Sequence, residues 1–378
     1  MAKGYLETAK VYPTENLGQL SIRDMLAYFE QYGAMRVSDL HIKVGSPPAY
    51  RIDGALVKLK GLTVTGEVAK QLIYPLLSDE KLEKLNQQRS VDSSYRSGTL
   101  QFRINVFMEN DGICAAIRAL SMAIPKIDEI GFPNDVWEDI VNRKHGLVLL
   151  TGITGAGKST TIASLIDQVS ERSACRIITI EDPVEYIYQQ KNSMISQREV
   201  GRDVHSFVDG LRSMLREDPD VIFVGEMRDS ETIAMTLMAA ETGHLVFSTL
   251  HTRDVTGTIT RILDYFPPGR QAEVRNQLSL GLAYIICQKL VPKKDGTGRI
   301  VAMEIMNNNY ACANLIRTGK VEQMYSQLQT KTRDKHDEKM CTMERHLAYL
   351  VKRDKVDLLE AKKWANNIGC FVDAMKHD

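Results

Sequence analysis

One stretch of this chain restricts its fold more than any other. Gly152-Ile153-Thr154-Gly155-Ala156-Gly157-Lys158-Ser159 fits G-x-x-x-x-G-K-[ST] at every constrained position. It lies between a wholly apolar run, Gly146–Thr151, and a helical pattern that starts at Lys158. Glycines let the backbone curl so that successive N–H groups point inward at phosphate oxygens, and the following helix adds its positive end. Lys158 would reach the β- and γ-phosphates, and the Ser159 hydroxyl would ligate Mg²⁺. Gly152, Thr154, Gly155, Ala156, Gly157 and Thr160 complete the expected nucleotide-binding run. By chance the pattern arises in roughly one chain in a hundred of this length, and the strand–turn–helix setting makes it rarer. The expectation is a nucleoside triphosphate site.

The surroundings read as α/β. Arg176–Ile180, Asp220–Gly225 and Leu245–Thr249 are further short apolar strands separated by helical stretches. Apolar strands alternating with helices predict a parallel sheet covered on both faces. Before Pro125 the pattern differs. The first twenty residues read as a weakly structured lead-in, and Ser21-x-x-Asp24 opens a helix carrying Ile22, Met25, Leu26 and Phe29. Asp39–Val44 and Ala49–Ile52 read as a hairpin around Gly45–Pro48, and 66–89 returns to helical spacing. Leu100–Phe107 and Ile113–Leu120 flank the turn Asn110-Asp111-Gly112. The expected organisation is therefore a lead-in (1–20), an α+β domain (21–125) and a nucleotide-binding α/β domain (126–378). The last ends in a polar helical segment, 331–378, with Lys339–Lys352 and Leu358–Asn366 as helices.

Carboxylates and histidines gather at the ends of these strands, where α/β proteins collect ligands. Val221-Ile222-Phe223-Val224-Gly225-Glu226 ends in a carboxylate that could hold or polarise an attacking water. Ile180-Glu181-Asp182-Pro183-Val184-Glu185 places three carboxylates within five residues, which a cation would offset directly or through water. His244 precedes the strand Leu245–Thr249 and His251 follows it. His251 could sense the γ-phosphate or relay between subunits; residue chemistry gives His244 no clear place.

Charge is balanced, with 48 Lys+Arg against 48 Asp+Glu. That argues against a basic nucleic-acid-binding coat, and no aromatic–basic interleaving is visible. The balance hides a strip, Glu181–Glu231, with twelve acidic and six basic residues. Six scattered cysteines without a C-x-x-C pair fit a reducing compartment and offer no zinc ribbon. No apolar run approaches the roughly 18 residues of a spanning helix, and no signal peptide is visible. A cytoplasmic protein with at most peripheral membrane contact is expected.

Taken together, these segments resemble the secretion/pilus ATPase superfamily, most closely the PilT-like type IV pilus retraction motors. The resemblance runs from about Ser38 to Leu350. It rests on Ser38-Asp39-Leu40-His41, Arg51-Ile52-Asp53-Gly54, Phe102-Arg103-x-Asn105-Val106-Phe107 and the phosphate loop. It continues through Ile180–Tyr186, Gln197-Arg198-Glu199-Val200-Gly201, Arg216-x-Asp218-Pro219-Asp220, Gly225-Glu226-x-Arg228-Asp229 and Ala240–His251. The resemblance implies a PAS-like N-terminal domain followed by a RecA-like P-loop NTPase domain, assembled as a homohexamer. It implies ATP and Mg²⁺ as cofactors, Mg-dependent hydrolysis, and a place at the pilus base against an inner-membrane platform protein. Glu226 would position the water, with Glu181 and Glu185 in the metal and water shell. Arg103 and Arg118 match family arginines that reach the nucleotide, a role suited to a planar, permanently charged guanidinium. Extension and type II secretion motors usually carry an extra N-terminal domain and a four-cysteine insert, which favours retraction here. The segment Tyr310-Ala311-Cys312-Ala313-Asn314-Leu315-Ile316 keeps the family's Asn-Leu-Ile but has Cys312-Ala313 in place of Ile-Arg. An accessory paralogue that modulates a partner pilus motor, and an extension or secretion ATPase, are the alternative readings.

Overall fold

Alternate residues of the strand Gly146–Thr151 serve two separate cores, which is why the run has no polar position before its end. The computed structural model describes residues 4–32, 37–52, 55–97, 100–110, 112–120, 124–329 and 339–377. Within it, Leu147 and Leu149 pack with Ile178, Ile180, Ile222 and Val224 on one face of the sheet. Val148 and Leu150 pack with Ile177, Val221 and Phe223 on the other. Successive side chains of a strand point to opposite faces, so a sheet covered on both sides needs an unbroken apolar run.

The sheet has seven strands in the order Met194–Glu199, Arg176–Glu181, Val221–Val224, Leu245–Leu250, Gly146–Thr151, Leu282–Pro292, Arg299–Asn307. Neighbours run parallel except the last pair, which is antiparallel. Parallel pairing puts the carboxyl ends of Gly146–Thr151, Arg176–Glu181, Val221–Val224 and Leu245–Leu250 at one edge. The segments that follow them, including the glycine-rich loop, therefore converge. The helix Lys158–Arg172 covers one face through Ile162, Leu165 and Ile166. Three sheet strands lie beyond the sequence expectation: Met194–Glu199, Leu282–Pro292 and Arg299–Asn307. Met194–Glu199 is an edge strand that buries only Ile195 and Glu199, so it lacks the apolar signature.

By contact density the chain divides into two units, Met1–Ala123 and Ile124–Asp378. The first is an antiparallel sheet of Ala55–Lys58, Ala49–Ile52, Val37–Ile42, Gly112–Leu120, Leu100–Glu109 and Ser90–Ser97. The helices Ile22–Tyr32, Gly66–Ile73 and Asp79–Gln88 accompany it. Phe29 packs edge-on to Phe102 and Tyr50 in its core. The lead-in is more ordered than its sequence suggests. Tyr12–Pro13 pairs with Gln19–Leu20, and Tyr12 is buried with its hydroxyl donating to the Leu62 carbonyl at 2.8 Å. Burying a large aromatic with its polar tip satisfied anchors a segment that has no helical or strand periodicity.

Asp53, Gly54, Asp111 and the polar stretch 331–338 lie outside the described residues. The helix expected from Lys339 begins at Met343, because the Thr342 hydroxyl caps it by accepting from the Arg345 amide. Together with Leu358–Trp364 and Ile368–His377 it forms a small core against Val291 and Ala302.

Candidate active site

The loop between Gly146–Thr151 and Lys158–Arg172 is held from inside the sheet. Gly152 has φ +148°, and a Cβ there would meet the Gln288 carbonyl oxygen at 2.5 Å and the Ala156 Cβ at 2.9 Å. Gly157 caps the helix in the left-handed region at φ +85°. Gln288, buried in the neighbouring strand, donates from Nε2 to the Ala156 carbonyl at 2.7 Å. Lys158 is itself buried, and its ammonium donates to the carbonyls of Gly152 (2.9 Å) and Ile153 (3.3 Å). Burial pulls its pKa down, opposed by the fields of Glu226 and Glu185. Thr154 and Gly155 are exposed, Ala156 is buried and Ser159 half-buried. Thr160 bonds the Tyr186 hydroxyl at 2.8 Å.

His251 connects this loop to Glu226. Its Nδ1 lies 3.5 Å from Lys158 Nζ and its Nε2 lies 3.3 Å from Glu226 Oε1. An ammonium has no acceptor, so Nδ1 must present its lone pair to Lys158 and Nε2–H must donate to Glu226. The other oxygen of Glu226 accepts from Arg228 Nε at 2.9 Å, and Arg228 also bonds Asp182 at 3.2 Å. The hydroxyls of Ser248 and Thr249 donate to the carbonyls of Val224 (2.8 Å) and Gly225 (2.7 Å), which pins the strand end that carries Glu226. The result is a carboxylate fixed on both oxygens beside a phosphate-type lysine. Such a group can hold and polarise a water.

Glu181 and Glu185 occupy different environments although four residues apart. Glu181 is buried; Oε1 accepts from Thr179 (2.7 Å) and Gln197 (3.2 Å), and Oε2 from the Glu185 amide (3.5 Å). Burial pushes its pKa up to about 7, with Thr179 and Gln197 opposing. Glu185 is half-buried, and its charge reaches Lys158.

Arg103 and Arg118 lie in the N-terminal unit as direct cross-strand partners on one face of its sheet. Arg118 donates from Nε to Asp39 at 2.7 Å, and Arg51 stands 3.7 Å from the same carboxylate. His244 follows the helix Ser230–Glu241, its Nδ1 2.9 Å from the Ala239 carbonyl and 3.3 Å from the Thr242 hydroxyl. Among the residues that hold the site, Gln288, Tyr186 and Arg228 were given no role from sequence. Gln288 had a signal, as the polar side chain that directly follows the apolar run Leu282–Cys287 within one strand. Tyr186 and Arg228 lie inside the motifs Ile180–Tyr186 and Gly225–Asp229, which gave neither of them a role of its own.

A parallel sheet with helices on both faces, a phosphate-type loop after one strand and a fixed carboxylate after another define a RecA-like P-loop NTPase. Comparison with known proteins carries this further. The family described as Type II/IV secretion system protein matches residues 21–360. The type IV pilus retractation ATPase PilT of Pseudomonas aeruginosa is 43% identical over 82% of this chain and 89% of its own length. A twitching motility protein of Neisseria gonorrhoeae is 39% identical over 85% and 84%. Among solved structures, the crystal structure of the pilus retraction motor PilT with bound ADP superposes with a TM-score of 0.83. It is 42% identical and covers 94% of this chain and 100% of that one. The chain belongs to the type II/IV secretion system protein family.

Proposed function

We propose that this chain is a motor ATPase that hydrolyses ATP to drive type IV pilus retraction, and with it twitching motility. The observation that carries the reading is the line from Lys158 through His251 to Glu226, in a chain 43% identical to a named retraction ATPase. Lys158 and the loop amides would bind the β- and γ-phosphates. Glu226, held by His251 and Arg228, would position the attacking water. Ser159 would hold Mg²⁺, which supplies charge neutralisation on the phosphates when bound. Glu181, whose oxygens are taken by Thr179, Gln197 and the Glu185 amide, would reach a metal only through water. Arg103 and Arg118 would offset negative charge developing on the transferred phosphoryl group.

The motor would work as a homohexamer at the cytoplasmic base of the pilus, bearing on an inner-membrane platform protein. Among the described residues no helix is long and apolar enough to cross a membrane, so such contact would be peripheral. Deleting the gene tests the reading: excess surface pili with loss of twitching is expected. Restoration should follow from the wild-type chain and fail with Lys158→Ala. Loss of surface pili instead would assign the chain to extension, and unchanged pili would overturn the motor reading.

A further inference from the structure

The segment from Asp182 to Gln190 carries Glu185 yet belongs to no ladder, so its backbone groups must find partners elsewhere. Polar side chains on two neighbouring strands supply them. In the parallel pair Arg176–Glu181 with Met194–Glu199, Thr179 stands opposite Gln197 and Glu181 opposite Glu199. Side chains two apart share a face, so all four project from the same side of the sheet at its carboxyl edge. Glu199 accepts from the Val184 amide at 3.2 Å, and Glu181 from the Glu185 amide at 3.5 Å. Gln197 makes three contacts. Its Nε2 donates to the Tyr186 carbonyl (2.7 Å) and to Glu181 (3.2 Å), and its Oε1 accepts from the Tyr188 amide (3.0 Å).

Gln197 therefore grips the backbone on both sides of Ile187, starting one residue beyond Glu185. Tyr186, whose carbonyl it holds, bonds through its hydroxyl to Thr160 in the first turn of the phosphate-loop helix. One residue is thus tied at one end to Gln197 and at the other to the loop. We infer that Gln197 is a positioning residue: it sets the distance between Glu185 and the phosphate loop, so that Glu185 meets the reacting phosphate and water. The inference rests on the reading of Glu185 as part of the hydrolytic site. An amide is required because the position must donate and accept at once, which no apolar or purely anionic side chain of this length does.

Steady-state ATP hydrolysis by the full chain, with fluorescent-ADP binding and thermal melting, tests this in four variants. Gln197→Met keeps length and volume without hydrogen bonds. Gln197→Glu keeps the acceptor but loses the donor. Gln190→Ala is the control, since Gln190 grips Ile195 by a similar two-sided amide contact at the far end of the same segment. Glu185→Gln tests the underlying reading. Both Gln197 variants are expected to lose about 10²-fold in kcat, as misplacement by about 1 Å does, while KM and ADP affinity stay within about threefold. Gln190→Ala should lower only the melting temperature. Wild-type kcat in either Gln197 variant while Glu185→Gln is impaired would overturn the proposal. Joint loss of ADP binding and turnover in both Gln197 variants would make Gln197 a folding residue and also overturn it. Wild-type kcat in Glu185→Gln would instead remove the reading of Glu185 itself.

Discussion

The imidazole Nε2 of His251 lies 3.3 Å from Oε1 of Glu226, joining the ends of two adjacent parallel strands at the mouth of the phosphate loop. Because the opposite ring nitrogen faces Lys158, the histidine can hold Glu226 only as the Nε2–H tautomer. Removing that donor while keeping bulk, as in His251→Leu, should leave Glu226 held by Arg228 alone. The expected outcome is a kcat lower by about tenfold or more with little change in KM, measured by steady-state ATP hydrolysis. A change confined to KM would place His251 in ground-state binding.

Glu226→Gln removes the carboxylate that can polarise water but leaves the phosphate loop untouched. Hydrolysis should fall by at least about 10²-fold, while fluorescent-ADP titration reports near wild-type affinity. Wild-type turnover would exclude Glu226 as the water-positioning group.

Gly152→Ala introduces a Cβ 2.5 Å from the Gln288 carbonyl at a φ of +148°, which side chains rarely adopt. The clash is with a backbone oxygen of a buried strand, so the loop is expected to shift. Strain of about 1–3 kcal/mol predicts roughly tenfold weaker ADP binding. Unchanged affinity in a direct titration would show that the strand carrying Gln288 yields instead.

Glu304 gives a pH prediction. It is buried, its Oε1 accepts from the Val255 amide at 2.8 Å, and burial pushes its pKa up to about 7, with Glu344 and Asp254 adding to the rise. Its folded pKa lies above its unfolded one. The folded state therefore holds a proton that the unfolded state releases near pH 4.5, the ordinary value. Stability falls as pH rises from about 4.5 to 7 and levels off above, a total of about 3 kcal/mol. Glu304→Gln lacks this loss. Relative to wild type, its melting temperature should improve between pH 5 and pH 8, and parallel curves would refute the assignment.

Much of the nucleotide-binding unit was legible from sequence because its central strands are buried on both faces, and burial on both faces demands continuous apolar runs. Gly146–Thr151, Val221–Val224 and Leu245–Leu250 announced themselves this way. Met194–Glu199 did not, since an edge strand needs an apolar face on one side at most, and here Gln197 and Glu199 serve the adjoining segment. Tyr12 shows the same limit in the N-terminal unit: one buried aromatic organises a stretch without periodicity.

By itself the sequence determined the phosphate loop, because its chemistry lies in consecutive backbone N–H groups and the helix that follows them. It also placed Glu226 and His251 at strand ends. Only the tertiary structure decided which strand ends meet. The sheet sets its strands out of chain order, so Gln288 reaches Ala156 across 132 residues and His251 reaches Lys158 across 93. Such contacts depend on which strands become neighbours in the folded sheet, a long-range property that no local run of residues carries.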